Sequence, residues 1–211
     1  MRIATWNVNS IRSRVERVAA WTARELPDVL CFQEIKTTDD LFPIGVFEEL
    51  GYEVATYGQK TYNGVAILSR SPATEVQFGV PGLEDEQKRV IAATVDGVRI
   101  VDLYVVNGQS VGSDKYAYKL RWIQAVHDWL AAELQRHPKL VVLGDFNIAP
   151  EDRDTHDPMM WNELSIHSST GERAALQAML SLGLHDSFRL HNDDIEVRAH
   201  EVADINIFSG G

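Results

Sequence analysis

The clearest structural signal in this chain is the octapeptide Leu140-Val141-Val142-Leu143-Gly144-Asp145-Phe146-Asn147. Its first four residues are apolar and are bounded by His137-Pro138 before and Gly144 after, so they predict a short buried strand. Asp145 and Asn147 follow two positions apart, and side chains with this spacing leave an extended chain on the same face. The octapeptide therefore predicts a carboxylate and a carboxamide together at the carboxyl end of a buried strand.

Asp145 and Asn147 allow two interpretations at this stage. As a site, Asp145 could orient and deprotonate a water molecule, while Asn147 could donate to an oxygen that becomes negative without bringing a charge of its own. As plain structure, the pair could form an Asx turn that closes the strand, because Asp and Asn favour turns. The octapeptide alone leaves both interpretations open.

Polar side chains also end two other predicted strands. The segment of residues 2–9 contains a predicted strand that ends at Asn7. The segment of residues 28–34 contains another, which ends at Gln33 and Glu34. Open α/β sheets place their sites at strand ends, so these side chains and Asp145 predict one shared site. A donor set of Glu, Asp and Asn oxygens suits a hard cation such as Mg²⁺ or Mn²⁺. The alternatives are a surface charge for Glu34 and a turn residue for Asn7.

Composition indicates a globular protein. The chain has 211 residues, 45% of them hydrophobic and 24% charged, which fits one domain with a sizeable core. A net charge of −11 argues against a nucleic-acid partner unless a bound cation or local basic residues offset it. Two basic clusters could do so, or could be solvated helix faces: Arg12, Arg14 and Arg17, and Lys115, Lys119 and Arg121.

The remaining composition signals concern compartment and association. A single cysteine, Cys31, excludes an internal disulfide, and its apolar strand predicts that it is buried and inert. The chain opens without a signal-peptide pattern and has no apolar run of membrane-spanning length. We therefore expect a cytoplasmic protein without a membrane partner, and we expect a monomer.

Helices and strands alternate along the chain. Helices are predicted over residues 14–25 (capped by Ser13), 113–135 and 172–182. Strands at residues 90–95 and 98–104 flank Asp96-Gly97, which is a strong hairpin signal. Hairpins occur together with crossovers, so the pattern predicts a mixed sheet in an α/β or α+β fold.

Several motifs occur in the order known from one protein family. The chain closely resembles the exonuclease III family of abasic-site (AP) endonucleases, within the endonuclease/exonuclease/phosphatase superfamily. The motifs that carry the resemblance are Thr5–Asn9, Gln33–Lys36, Tyr62–Ile67, Leu103–Gly108, Gly144–Asn147, Asp154–Pro158, Gly171–Leu176 and Gly183–Arg189. The resemblance covers residues 1–192, predicted to be the family domain, and leaves residues 193–211 as an atypical tail.

The resemblance implies a fold and roles for particular residues. The implied fold is the DNase I-like four-layer α/β sandwich, two mixed sheets with helices outside. Glu34 matches the family's metal ligand, and Asn7, Asp145 and Asn147 complete the metal set that we expect. Asp145 also matches the residue that activates water, Asn147 the residue that steadies the phosphate, and Tyr104 a catalytic tyrosine. The alternative for Tyr104 is an interior strand aromatic.

The chain departs from the family pattern at two places. Val106 stands where family members usually have a proline, which would stiffen the turn after Tyr104. After His191, the family's segment with a catalytic Asp-His pair has no counterpart in order and spacing. His200 and Asp204 do not replace it well, so we expect a fold that is incomplete at its C-terminal end.

The resemblance implies a Mg²⁺-dependent DNA repair nuclease. Its substrates would be double-stranded DNA, cut 5′ to abasic sites and trimmed at 3′ ends, with the abasic sugar swung out of the helix. Two alternatives remain open. The chain could be an impaired or inactive family member, or it could hydrolyse other phosphoesters such as RNA or lipid phosphates.

Overall fold

The computed structural model describes residues 1–155, 157 and 159–191, and the backbone alone of residues 207–209. The chain divides into two compact units, Met1–Tyr104 with Leu140–Asp145, and Val105–Lys139 with Phe146–Gly211. His200 and Asp204 lie outside the described residues, as does most of the predicted tail. The domain boundary at residue 192 therefore stays a prediction.

The first unit contains two mixed β-sheets. The first sheet has the strand order β1-β2-β4-β3, in which β1 and β2 are parallel and the other pairs antiparallel. Its strands are β1 (Ile3–Asn7), β2 (Val29–Gln33), β3 (Glu53–Tyr57) and β4 (Val65–Ser69). In the second sheet β5-β6-β7-β8, only the pair of β7 and β8 is parallel. Its strands are β5 (Thr74–Phe78), β6 (Val90–Val95), β7 (Val98–Tyr104) and β8 (Leu140–Asp145).

Apolar side chains fill both faces of the first sheet. One core cluster joins the two sheets through β2, β4, β6, β7 and β8, with Cys31, Ile67, Ile91 and Ile100 among its buried members. A second cluster packs the opposite face of the first sheet beneath helices α1 (Val15–Glu25) and α2 (Ile44–Glu48). Strands β2 and β4 are buried on both faces, which explains the apolar sequences of their first four residues.

The two parallel strand pairs end in register. Asn7 of β1 lies opposite Gln33 of β2, and Tyr104 of β7 lies opposite Asp145 of β8. Gly144 allows the close approach of β7 and β8, because a Cβ built at its position would lie 2.0 Å from the carbonyl oxygen of Leu103. Its φ of +122° is a backbone conformation that other residues rarely adopt.

The second unit contains two long helices. Helix α3 (Asp114–Arg136) begins at Ser113, whose side chain accepts from the amide of Tyr116. Helix α4 (Thr170–Leu180) begins with a capping box between Ser169 and Glu172. Strand β9 (Leu184–Asp186) leads into the short helix α5 (Ser187–His191) and pairs antiparallel with β10 (Ile207–Ser209).

Most predicted elements occur within a few residues of their predicted bounds. The hairpin of β6 and β7 turns at Asp96 and Gly97, which both have positive φ, as a type I′ turn requires. The predicted cap of α1 is wrong: Arg14 occupies the N-cap position, and Ser13 donates instead to the carbonyl of Ser10 at 3.0 Å. Among the described residues, no helix is both long and apolar enough to cross a membrane.

Candidate active site

One amide group joins the two acidic side chains at the strand ends of the first unit. Asn7 Nδ2 donates to Glu34 Oε1 at 3.0 Å and to Asp145 Oδ2 at 2.8 Å. The side-chain oxygen Oδ1 of Asn7 accepts from the backbone amide of Asn9 at 3.0 Å, which fixes the orientation of the side chain. Residues separated by more than a hundred positions in the sequence thus meet at one point.

Tyr104 completes this cluster. Its hydroxyl donates to Glu34 Oε1 at 2.8 Å, the same oxygen that accepts from Asn7. The guanidinium of the buried Arg89 lies 4.5 Å from the centre of the Tyr104 ring and donates to the Tyr104 carbonyl at 3.2 Å. The ring is therefore held from behind while its hydroxyl points at the carboxylate.

The backbone around Glu34 is left-handed and tied to the loop after β1. Glu34 and Lys36 both have a φ of +51°, a conformation that costs a non-glycine residue about 1–2 kcal/mol. The amides of Val8 and Ser10 donate to the carbonyls of Gln33 and Glu34, at 3.0 and 2.7 Å. These bonds hold the strained segment in place and turn the Glu34 carboxylate toward Asn7.

The Glu34 carboxylate is kept ionised. Partial burial raises its pKa, but hydrogen bonds from Asn7, Lys36 and Tyr104 and the charge of Lys36 outweigh burial, so the pKa lies below its ordinary value. Lys36 Nζ lies 2.7 Å from Glu34 Oε2 and donates to Asn9 Oδ1 at 2.5 Å. Glu34 is thus a carboxylate with a cation on one oxygen and two neutral donors on the other.

Tyr104 is kept protonated. Burial raises its pKa well above the ordinary value for a phenol, and the hydrogen bond to Glu34 and the charges of Glu34 and Asp145 raise it further. Arg89 lowers the pKa only in part. In this arrangement Tyr104 is a neutral hydrogen-bond donor.

The donor chemistry of this cluster fits a hard divalent cation. Glu34 and Asp145 supply carboxylate oxygens within 3.0 Å of one shared nitrogen, and Mg²⁺ sites commonly use one or two carboxylates with water and phosphate oxygens. Within the part of the chain that the structure describes, no group of three or more His, Cys, Asp and Glu side chains could hold a metal ion. Asn7 presents its nitrogen to the carboxylates, so its predicted role as a ligand stays a prediction.

Asn147 belongs to the second unit. Its side-chain nitrogen donates to the carbonyl of Val105 at 2.9 Å, and its backbone is left-handed with a φ of +50°. Its backbone carbonyl accepts from Lys119 Nζ at 2.7 Å. The predicted roles of Asn147 at the metal and at the phosphate stay predictions.

One of the predicted basic clusters is corrected by the structure. Lys119 is fully buried in an ion pair with Glu172, so it is part of neither a solvated helix face nor a basic surface. Its neighbours Lys115 and Arg121 are exposed, as are Arg12 and Arg17 at the start of α1. A buried partner 53 residues away leaves no local signal in the sequence.

The sequence analysis also missed two residues that shape the cluster. Lys36 follows Glu34 at the two-residue spacing that could have marked it as a neighbour. Arg89 precedes β6, and the hairpin register that pairs Val90 with Leu103 brings it opposite Tyr104. Counting residues outward from Asp96-Gly97 could have found it.

Comparisons with known proteins place this chain in a family. A family model described as "Endonuclease/Exonuclease/phosphatase family" matches residues 4–194. Exodeoxyribonuclease III of Haemophilus influenzae is 32% identical over 203 residues, which span 91% of this chain and 76% of that protein. DNA repair nuclease APEX1 of Danio rerio is 30% identical over 195 residues, 90% of this chain and 62% of that protein.

Solved structures extend the likeness to the fold. A 3′-5′ exonuclease (NExo) from Neisseria meningitidis matches with a TM-score of 0.94 and 43% identity, over 99% of this chain and 87% of that one. A 3′ phosphatase NExo from Neisseria, bound to product DNA hairpin, matches with the same TM-score and identity over 86% of its chain. An AP endonuclease from Archaeoglobus fulgidus matches at 0.93 and 32% identity, covering 99% of this chain and 86% of that one.

The two mixed sheets with flanking helices have the DNase I-like fold that the resemblance implied, and the family that the chain matches is one of phosphodiester hydrolases. The chain belongs to the endonuclease/exonuclease/phosphatase family, in its exonuclease III and AP endonuclease branch.

Proposed function

We propose that the chain is a divalent-metal-dependent DNA nuclease that acts as a monomer at 3′ ends of duplex DNA and 5′ to abasic sites. The observation that carries the proposal is the bridge from Asn7 to both Glu34 and Asp145, with the Tyr104 hydroxyl on the same Glu34 oxygen. Acidic oxygens beside a neutral phenol donor are the groups that phosphodiester hydrolysis needs.

Asp145 is the residue proposed to align and deprotonate the attacking water. Its Oδ2 is already engaged by Asn7, which leaves the carboxylate fixed in direction. A fixed carboxylate raises the fraction of time that a bound water spends in line with the scissile bond. Asn7 is then an orienting residue, because its amide joins the proposed base to the proposed metal ligand.

Tyr104 and Asn147 are proposed to stabilise the charge that develops on the phosphate. Tyr104 keeps its proton, and its hydroxyl can turn from Glu34 Oε1 to donate that proton to a phosphate oxygen in a hydrogen bond. Asn147, two residues after Asp145, carries a neutral amide with the same capacity. A bound Mg²⁺ or Mn²⁺, held by Glu34 and Asp145 with the predicted participation of Asn7 and Asn147, would neutralise charge on the phosphate.

The choice of substrate is supported by the similar proteins. The Neisseria protein is named a 3′-5′ exonuclease and a 3′ phosphatase, and one of its structures holds product DNA hairpin. The Archaeoglobus protein is named an AP endonuclease. At 43% against 32% identity, the likeness favours processing of DNA 3′ ends as the main activity, with abasic-site incision as the second.

The test uses two labelled duplexes, one with a recessed 3′ end and one with a single abasic-site analogue. We expect the wild-type chain to shorten the first and to cut the second 5′ to the analogue with Mg²⁺, and to do neither with EDTA. Asp145→Asn should lower the rate roughly 10³-fold, on the scale of a lost general base. Asp40→Asn, an exposed acid outside the cluster, should leave the rate unchanged.

Each outcome separates the candidates. If the folded wild-type chain leaves both duplexes intact at all Mg²⁺ concentrations, the proposal is wrong and the inactive family member is the better description. If the chain hydrolyses RNA or a lipid phosphate and leaves both DNA duplexes intact, it is instead a family member that acts on other phosphoesters.

A further inference from the structure

The second unit contains a fully buried ammonium group, that of Lys119. Lys119 has no solvent-exposed surface, although lysine is one of the residues least often buried. Its Nζ donates to the backbone carbonyl of Asn147 at 2.7 Å, to the backbone carbonyl of Asn107 at 3.3 Å and to Glu172 Oε1. An ammonium has three N–H donors, so each of them has an acceptor.

The carboxylate partner is itself held by its surroundings. Glu172 Oε1 also accepts from the amide of His167 at 3.1 Å. Glu172 Oε2 accepts from the amide of Ser169 at 3.2 Å and from its hydroxyl at 2.6 Å. These bonds form the cap of α4 and fix the carboxylate, so Lys119 is anchored to a rigid helix start.

The two carbonyls that Lys119 binds belong to the segments that carry the asparagines of two family motifs. Asn147 lies after the proposed base, and Asn107 lies in the segment after Tyr104. The Asn147 side chain donates to the carbonyl of Val105, so the two segments are also tied directly to each other. Gly108 packs against the Lys119 stem, because a Cβ at its position would lie 3.0 Å from Lys119 Cδ.

We propose that Lys119 is a positioning residue: by donating to the carbonyls of Asn107 and Asn147 while anchored on Glu172, it fixes the backbone from which the Asn147 amide acts. The proposal rests on the proposed function for the role of Asn147 in the reaction. Buried ion pairs can often be replaced by apolar residues without loss of stability. The proposal therefore assigns the pair of Lys119 and Glu172 a role in positioning in addition to any role in stability.

The test separates positioning from folding by removing the pair as a unit. Lys119→Met alone would leave the buried charge of Glu172 uncompensated and could unfold the protein. The variant Lys119→Met with Glu172→Gln has no buried charge, and a glutamine still completes the capping box. The matched control is Lys139→Met, an exposed lysine three residues after the end of α3.

For the double variant we expect a melting temperature close to that of the wild type. We expect its kcat to be lower by about 10–100-fold and its KM to stay within about threefold of the wild-type value, because a misplaced group slows the reaction without weakening substrate binding. In an Asn147→Ala background the same two substitutions should lower kcat by less than about threefold. A folded double variant with the wild-type kcat overturns the proposal. The proposal is also overturned if the two substitutions lower kcat by the same factor in the Asn147→Ala background as in the wild type.

Hydrogen exchange supplies a readout that does not depend on activity. In the double variant, amide protection should fall in residues 105–109 and 146–149, and stay unchanged in α3 and α4. Unchanged protection in both segments overturns the proposal. If the wild-type chain is inactive while protection falls as expected, the proposed function fails and the hold of Lys119 on the two segments stands.

Discussion

Asn7 shows how a neutral side chain can organise two acidic ones. Two carboxylates that meet without a cation repel each other, and a donor between them lowers that repulsion. The Asn7 nitrogen occupies that place, and its oxygen is held by the amide of Asn9. A cation that binds Glu34 and Asp145 therefore meets carboxylates that are already aimed, which lowers the entropy cost of binding.

Tyr104 provides a test of the hydroxyl that meets Glu34. Tyr104→Phe keeps the ring and its contact with Arg89 but removes the donor to Glu34 Oε1. A hydrogen bond to a charged group contributes about 1.5–3 kcal/mol, so we expect kcat for 3′-end trimming to fall roughly 10–100-fold. Steady-state kinetics on the recessed duplex would measure this loss.

The control for this substitution is Tyr62→Phe. Tyr62 is 68% exposed and should lose its hydroxyl without a change in kcat. If Tyr104→Phe also cuts at the wild-type rate, the hydroxyl plays no part in the reaction and the tyrosine is an interior strand aromatic, the alternative that the sequence left open.

Strand β8 depends on Gly144 for its pairing with β7. A side chain there would require a φ near +122° and would drive a Cβ to within 2.0 Å of the Leu103 carbonyl. We expect Gly144→Ala to destabilise the protein by roughly 3 kcal/mol or more, because backbone strain of this kind adds to a clash that the neighbouring strand must absorb. Urea unfolding, followed by tryptophan fluorescence, would measure the change.

Gly45 in α2 is the matched control, since a Cβ at its position meets nothing within 4 Å. Gly45→Ala should be neutral or stabilise by about 0.5–1 kcal/mol, as alanine does in place of glycine within a helix. A Gly144→Ala protein as stable as Gly45→Ala would mean that β7 and β8 do not approach as closely as described.

The elements also show what sequence patterns can and cannot predict. Asp96-Gly97 predicted the β6–β7 hairpin, because a type I′ turn is encoded in the residues that form it. Strand β5 (Thr74–Phe78) escaped prediction, because it is a largely exposed edge strand that buries no apolar face. The site residues came from strand-end motifs, but the shared bond of Asn7 to Glu34 and Asp145 depends on tertiary packing, which no local pattern records.

The whole chain carries a net charge of −11, which opposes the approach of a polyanion. If the chain acts on DNA as proposed, binding relies on local cations, and such binding weakens steeply with salt because each neutralised phosphate releases counterions. Arg12 and Arg17 are exposed at the start of α1, and Arg14 beside them donates to the carbonyl of Asn9, close in sequence to Asn7. We propose that this cluster holds a phosphate backbone of the DNA.

We therefore expect the logarithm of the DNA affinity, measured in EDTA by fluorescence anisotropy, to fall linearly with the logarithm of the KCl concentration. Arg12→Ala with Arg17→Ala should reduce that slope by about 0.9 for each phosphate that the variant no longer neutralises. The control Lys139→Ala removes an equally exposed cation and should leave the slope unchanged. Lys139 precedes β8 and so lies at the end of the strand opposite Asp145. A protein that neutralises fewer phosphates must release fewer counterions. An equal slope in the wild type, the double arginine variant and Lys139→Ala would therefore show that other cations hold the DNA backbone.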